Sequence, residues 1–236
     1  MNLLSEAFAW LTDPEQWTGP NALQHLLLQQ LYFTALAVGI AAVIAVPLGW
    51  AIGHTGKGRE VAVAFAGAAR AVPSFGLLVL LVLLFGVLHK PEAAVVTFVI
   101  LAIPPLLAGA YAGFEAIDRR TVDAARAVGM TEAQILWRVE VPLGLPLLVG
   151  GFRSAVLQVV ATVTIAAYVN LGGLGLPIIT GLSLRRYEVV LGGAVLVAVL
   201  ALVLDALLAL AQRAAVPHGV LAAQGHAPRR RAESAS

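Results

Sequence analysis

Residues 118–142, DRRTVDAARAVGMTEAQILWRVEVP, set a charged stretch of helical character between long apolar runs, and their reading decides what the chain is. The stretch reads as two short helices, 123–128 and 132–139, parted by Gly129 and Met130. Asp118 is placed to cap the first, because a short carboxylate accepts the free N–H groups of a first turn. Gly129 falls where a left-handed residue closes a helix, and Thr131 with Gln134 forms the T-x-x-Q capping box that opens another. Pro142 lacks an N–H and is expected to stop the second helix.

Outward from this island the composition leaves one class. Hydrophobic residues make up 60% of the 236 positions, charged residues only 12%, and the mean hydropathy is +0.90. That is an all-α, polytopic membrane protein. A helical crossing needs about 20 apolar residues, and such runs occur near 31–52, 72–88, 93–113, 144–167 and 189–211, so about five spans are expected. The second is short unless it also takes in residues 60–71, which could instead form a separate amphipathic segment. Glu6, Asp13, Pro14 and Glu15 interrupt residues 1–20 and argue against both a sixth span and a signal peptide, leaving the first span as an uncleaved signal. The expected organisation is an extracytoplasmic segment at 1–21, a transmembrane domain at 22–213 and a disordered tail at 214–236.

Basic residues are unequally shared between the two sides. Lys57, Arg59, Arg70, Arg119, Arg120, Arg126, Arg138, Arg213 and Arg229–Arg231 fall on one side, whereas Lys90, Arg185 and Arg186 fall on the other. By the positive-inside rule the island and the C-terminus face the cytoplasm and the N-terminus faces outward, in a bacterial plasma membrane.

Several function classes drop out. Cysteine is absent, and the five scattered histidines show no ligand spacing, so no metal site is expected. GHTGKGRE at 53–60 fails as a phosphate loop, because Ala51 stands where its first glycine belongs and Gly58 where its hydroxyl belongs. There is no hydrolytic motif, so no catalytic residue is expected, and three tail arginines do not make a nucleic-acid site. Contact with anionic membrane lipid and the ordinary excess of positive charge on the inner side are both open readings of them.

Polar residues inside the fourth run are sparse. Ser154, Gln158 and Thr162 repeat every four residues and share a helix face, with Arg153 to one side. Such side chains avoid lipid, and packing on a helix and lining a translocation path are both open readings. Arg153 is free to snorkel or pair rather than touch substrate, and Asp205 near the inner end of the last span is likewise free to pair. Pro47, Pro73, Pro104 and Pro105 each remove a backbone donor from or beside a span. Between the last two runs, YVNLGGLGLPIITGLSLRRYE at 168–188 is too short to cross, and Gly172, Gly173 and Gly175 permit the tight bends of an outer gate or a docking loop. It could equally be an inert loop.

The island resembles the EAA loop of ABC importer permeases: Asp123, Ala124 and Ala125 stand at the EAA positions, Gly129 at the glycine, and Val139, Val141 and Pro142 at the closing Ile-x-Leu-Pro. Asp for Glu and Val for Ile and Leu are conservative departures. The resemblance implies a type I (MetI-like) permease fold with cytoplasmic coupling helices. It also implies that an ATPase docks where the small Ala124, Ala125 and Gly129 allow close approach and Ile135, Leu136 and Val139 supply an apolar stripe. YVNLGGLG, AVPSFGLLVLL at 71–81 and GFRSAVLQVVATVTIAAYV at 151–169 are similar to the osmoprotectant branch, which imports glycine betaine, carnitine or choline. Methionine-type amino-acid permeases share the five-span plan. The family further implies a cytoplasmic ATPase dimer carrying ATP and Mg, with no cofactor on this chain, a second identical or homologous permease, and an extracytoplasmic solute-binding protein. A non-transporting scaffold or sensor is the alternative from another class.

Overall fold

The structure, a computed structural model, describes residues 2–216, and the expected tail beyond them lies outside the described residues. The chain is all-α. Among the described residues ten α-helices follow in order: α1 (Leu3–Thr12), α2 (Leu23–Thr55), α3 (Arg59–Ala71), α4 (Ser74–Phe85), α5 (Lys90–Glu115), α6 (Arg119–Ala127), α7 (Glu132–Ile135), α8 (Val141–Ala166), α9 (Gly175–Ser183) and α10 (Tyr187–Ala214).

Among the described residues four helical stretches are long and apolar enough to cross a membrane, built on α2, α5, α8 and α10. The second expected span differs. Pro73 stands between α3 and α4, and α4 is only 12 residues long, about 18 Å against a hydrocarbon core of about 30 Å. Neighbours across the helix interface explain how a fifth crossing still arises. Phe33 meets Phe98, Gly49 meets Ala110 and Gly53 meets Phe114, so α2 and α5 run parallel. Residues 56–89 must therefore carry the chain back, and α3 and α4 do so jointly.

Helix α5 is the axis of the molecule. In its most apolar stretch 61% of residues are buried, whereas in that of α10 only 6% are, which puts α10 at the outside of the bundle. Lipid offers no hydrophobic drive between helices, so close packing of small residues supplies the attraction. On α2, Ala37, Ala41, Ala45, Gly49 and Gly53 repeat every four residues and form one stripe. A Cβ on Gly49 would come within 2.4 Å of the Ala110 Cβ on α5. On the other side of α5, a Cβ on Gly109 would lie 2.7 Å from the Gly151 Cα, and one on Gly113 would lie 2.7 Å from the Gly144 carbonyl oxygen, both on α8.

Pro142 does not stop a helix, contrary to the expectation from sequence. The chain stays helical from α7 through Leu136–Glu140 into α8, and the intervening five residues form a π turn. In a regular α-helix the proline ring would strike the carbonyl of Arg138, four residues earlier. The wider turn, closed by the Val141 N–H on the Leu136 carbonyl, lets the chain pass the proline without breaking. Pro47, Pro104 and Pro105 likewise sit inside continuous helices.

At the opposite end, α1 packs on the start of α10. Trp10 is buried, and a Cβ on Gly192 would lie 2.4 Å from its ring. Helix α9 occupies the 168–188 connector, between α8 and α10.

Candidate functional site

The charged island folds largely as its punctuation dictates. The Asp118 side chain accepts from the Arg120 N–H at 2.9 Å, and Thr131 and Gln134 cap each other reciprocally. Gly129 has φ +86. The Met130 N–H bonds the Ala125 carbonyl and the Gly129 N–H the Arg126 carbonyl, the paired bonds of a Schellman ending. Nothing lies within 4 Å of the place a Gly129 Cβ would occupy, so this glycine leaves an open notch on the surface. Asp123 and Ala124 are exposed beside it, while Ala125 packs inward.

The apolar stripe is distributed differently from the expectation. Ile135 is fully buried and Leu136 and Val139 are half-buried, because the π turn folds this segment back onto the chain's own spans. The apolar groups actually offered to a partner are Val128, 78% exposed, and Trp137, 59% exposed. Pro142 is half-buried at the base of α8.

From the surface inward runs a chain of polar and charged groups that sequence reasoning missed. Arg126 donates from Nε and Nη2 to both oxygens of Glu132, at 2.8 and 3.0 Å, and reaches Asp123 at 3.3 Å. That hydrogen bond to Glu132 raises the Arg126 pKa above its ordinary value, and the cation is fixed. Glu132 in turn lies 3.5 Å from His54 Nε2, and His54 Nδ1 lies 2.5 Å from the Glu140 carboxylate. His54 ends α2, so the chain joins the island to a span. Trp50, one turn earlier, stacks on Phe114 at 6.1 Å and meets Trp137 edge-on at 5.6 Å. His54, Glu140, Arg126, Asp123 and Phe114 border a cleft of about 240 Å³ that also takes in Arg59 and Tyr111. His54 and Glu140 are 86 positions apart, and nothing local in the sequence pairs them.

The polar face of α8 divides. Ser154 and Gln158 are exposed and line a cavity of about 310 Å³ with Ser74 and Val72 from the α4 region and Leu101, Pro104 and Pro105 from α5. The two prolines leave the Ile100 and Leu101 carbonyls without their usual helical donors, which adds polarity in the middle of a span. Thr162 is buried, its hydroxyl donating to the Gln158 carbonyl. Arg153 faces away and forms a two-pronged ion pair with Asp205 on α10, the Nη2 contact being 2.6 Å.

At the opposite end the three glycines are packed, not free. Gly172 and Gly173 have φ +93 and +74 and turn the chain under α2. The Gly173 N–H donates to Gln29 and the Leu174 N–H to Gln30, both at 3.2 Å. The fully buried Gln30 donates to the Val160 carbonyl at 2.9 Å and to the Thr164 hydroxyl at 3.2 Å. A Cβ on Gly175 would lie 1.9 Å from the Thr164 carbonyl oxygen. Gln29 and Gln30 were invisible as functional candidates, since the only signal was an amide pair near the start of an apolar run.

A bundle with a capped surface loop at one end and a polar cavity between spans matches a known family. The model described as the inner membrane component of binding-protein-dependent transport systems matches residues 43–217. The chain belongs to that family. This permease is 31% identical over 192 residues to the glycine betaine/carnitine/choline transport system permease protein OpuCB of Bacillus subtilis, a match covering 81% of this chain and 88% of that one. It is 33% identical over 204 residues to the osmoprotectant import permease protein OsmW of Salmonella typhimurium, covering 84% and 94%. A chain of the MetNI methionine ABC transporter in an inward-facing conformation has the same fold, with a TM-score of 0.72 at 22% identity, covering 87% of this chain and all of that one. The protein is thus a multi-pass inner-membrane permease subunit of an ABC importer, with the MetI-like fold the sequence implied.

Proposed function

We propose that this permease imports osmoprotectants of the quaternary ammonium class, such as glycine betaine, carnitine or choline. The observation that carries the reading is the set of relatives named for those solutes, matched over most of their length. Amino-acid import of the methionine type is the weaker reading, since it rests on likeness of fold alone.

In this reading a cytoplasmic ATPase dimer holds ATP and Mg and docks on Asp123, Ala124 and the notch at Gly129, flanked by Val128. A second permease, identical or homologous, covers the exposed face of α8, and Ser154 and Gln158 then border the path between the two subunits. A solute-binding protein delivers substrate beside Gly172, Gly173 and Gly175, on the outer side. The excess of Lys and Arg supports this orientation, with the 118–142 island and the C-terminus inside and the N-terminus outside. ATPase closure moves the island, tilts the spans and switches access from one side to the other.

The test is uptake by vesicles holding the permease with its cognate ATPase and binding protein. ATP-dependent accumulation of labelled glycine betaine or choline is expected, and accumulation of methionine alone would overturn the assignment. For the docking surface, Gly129→Asn keeps the left-handed backbone that Asn tolerates while filling the notch. Copurification with the ATPase should fall while membrane insertion is unchanged; undiminished copurification sinks the docking role.

A further inference from the structure

Glu140 is the one ionisable side chain that is buried among the residues whose burial is described, at 6% exposure. A buried carboxylate costs several kcal/mol unless paired, so its position needs a reason beyond packing. The π turn supplies the geometry. Widening the turn ahead of Pro142 sets Glu140 against the end of α2, where His54 Nδ1 meets it at 2.5 Å. The other ring nitrogen faces Glu132, which is tied through Arg126 to Asp123 on the exposed face of α6. His54 therefore stands where a chain of exposed, solvent-screened charges ends and a buried contact begins. The Trp50–Trp137 pair lies alongside, joining the same two segments through their preceding turns. Displacement of α6 reaches the spans here, because the outer charges can follow a moving partner while the buried pair cannot separate without leaving Glu140 alone.

We propose that His54 and Glu140 are a positioning pair that transmits movement of the island to α2 and α8 and so keeps ATP turnover tied to transport. The proposal rests on the island being the ATPase dock. Both residues line the cleft beside the island and neither borders the cavity at Ser154 and Gln158. Their loss should therefore separate two rates that a merely structural pair would lower together.

The experiment compares ATP hydrolysis with uptake of labelled glycine betaine in vesicles containing the full transporter, alongside copurification of the ATPase. For His54→Leu and Glu140→Leu, uptake should fall about tenfold while hydrolysis stays within about twofold of wild type, as for the loss of a typical coupling free energy between two sites. The double variant should be no worse than either single one, since each removes the same contact. His54→Gln, which retains an N–H to offer Glu140, should recover most of the uptake. Unchanged uptake, additive losses, or equal falls in hydrolysis and uptake would each overturn the proposal. Should a Leu variant fail to assemble, His54→Gln, Glu140→Gln and their combination decide the same question, the paired amides restoring uptake only if the contact matters. Failure of the underlying reading looks different: wild-type vesicles would show no ATP-dependent uptake, or Gly129→Asn would copurify normally.

Discussion

The two ends of α2 are fastened by opposite chemistry. At the Gln30 end a neutral amide, fully buried, bonds backbone groups of α8 and of the 170–174 turn, and glycines bring those backbones into contact. At the His54 end an imidazole between two carboxylates, the Arg126–Glu132 ion pair and packed aromatic rings make the fastening, and most of its members are in contact with water. Neutral amide bonds in apolar surroundings are short-ranged and costly to leave unmade, whereas exposed ion pairs contribute little to stability and re-form readily. One end is built to hold a shape and the other to pass on a change of shape.

The largest effect should come from crowding the rigid end. Gly175→Val places carbon against the Thr164 carbonyl, which cannot give way, and should destabilise the permease by about 3 kcal/mol. Thermal unfolding in detergent measures this, and a melting temperature equal to wild type would show the Gln30 end to be no tighter than the other. Next, Gln30→Leu strips the acceptor from the Leu174 N–H and the donors from α8, a loss of about 2 kcal/mol. It should also expose the 170–174 turn to protease. If that turn stays resistant, the glycines rather than the amide hold it. The smallest effect on stability belongs to Arg126→Gln, which should leave the melting temperature unmoved. A clear drop would break the distinction between the ends.

Much of the inner surface was legible because its determinants are local. Asp118, Gly129, Thr131 and Gln134 act within a few residues of themselves, so capping rules identified both N-caps and the ending at Gly129, although the first helix begins at Arg119, directly after its cap, and not at 123. The apolar runs also located the long spans, since length and hydropathy suffice for that. Other features depended on partners distant in the chain. Nothing near Pro142 announces that the chain will widen into a π turn, and Ile135 was read as a surface residue because its burial depends on spans beyond the loop. His54 was one of five scattered histidines without ligand spacing, and only the fold brings Glu140 to it. Arg153 and Asp205 were half legible: each is costly alone in a span, so some pairing was open to both, but nothing local says that they pair with each other across α8 and α10. The four-residue stripe from Ala37 to Gly53 was also there to be read, as small residues at that spacing signal close helix contact in lipid.

The parallel course of α2 and α5 has a consequence for how the chain is made. Helix α4, at 12 residues, is too short to hold a place in the bilayer on its own as it leaves the ribosome. It packs on α5, which is synthesised after it. The second crossing must therefore be completed backwards, with α4 drawn in only once α5 has entered. Chains truncated after Phe85 should leave α4 open to protease, and chains extended to Glu115 should shield it.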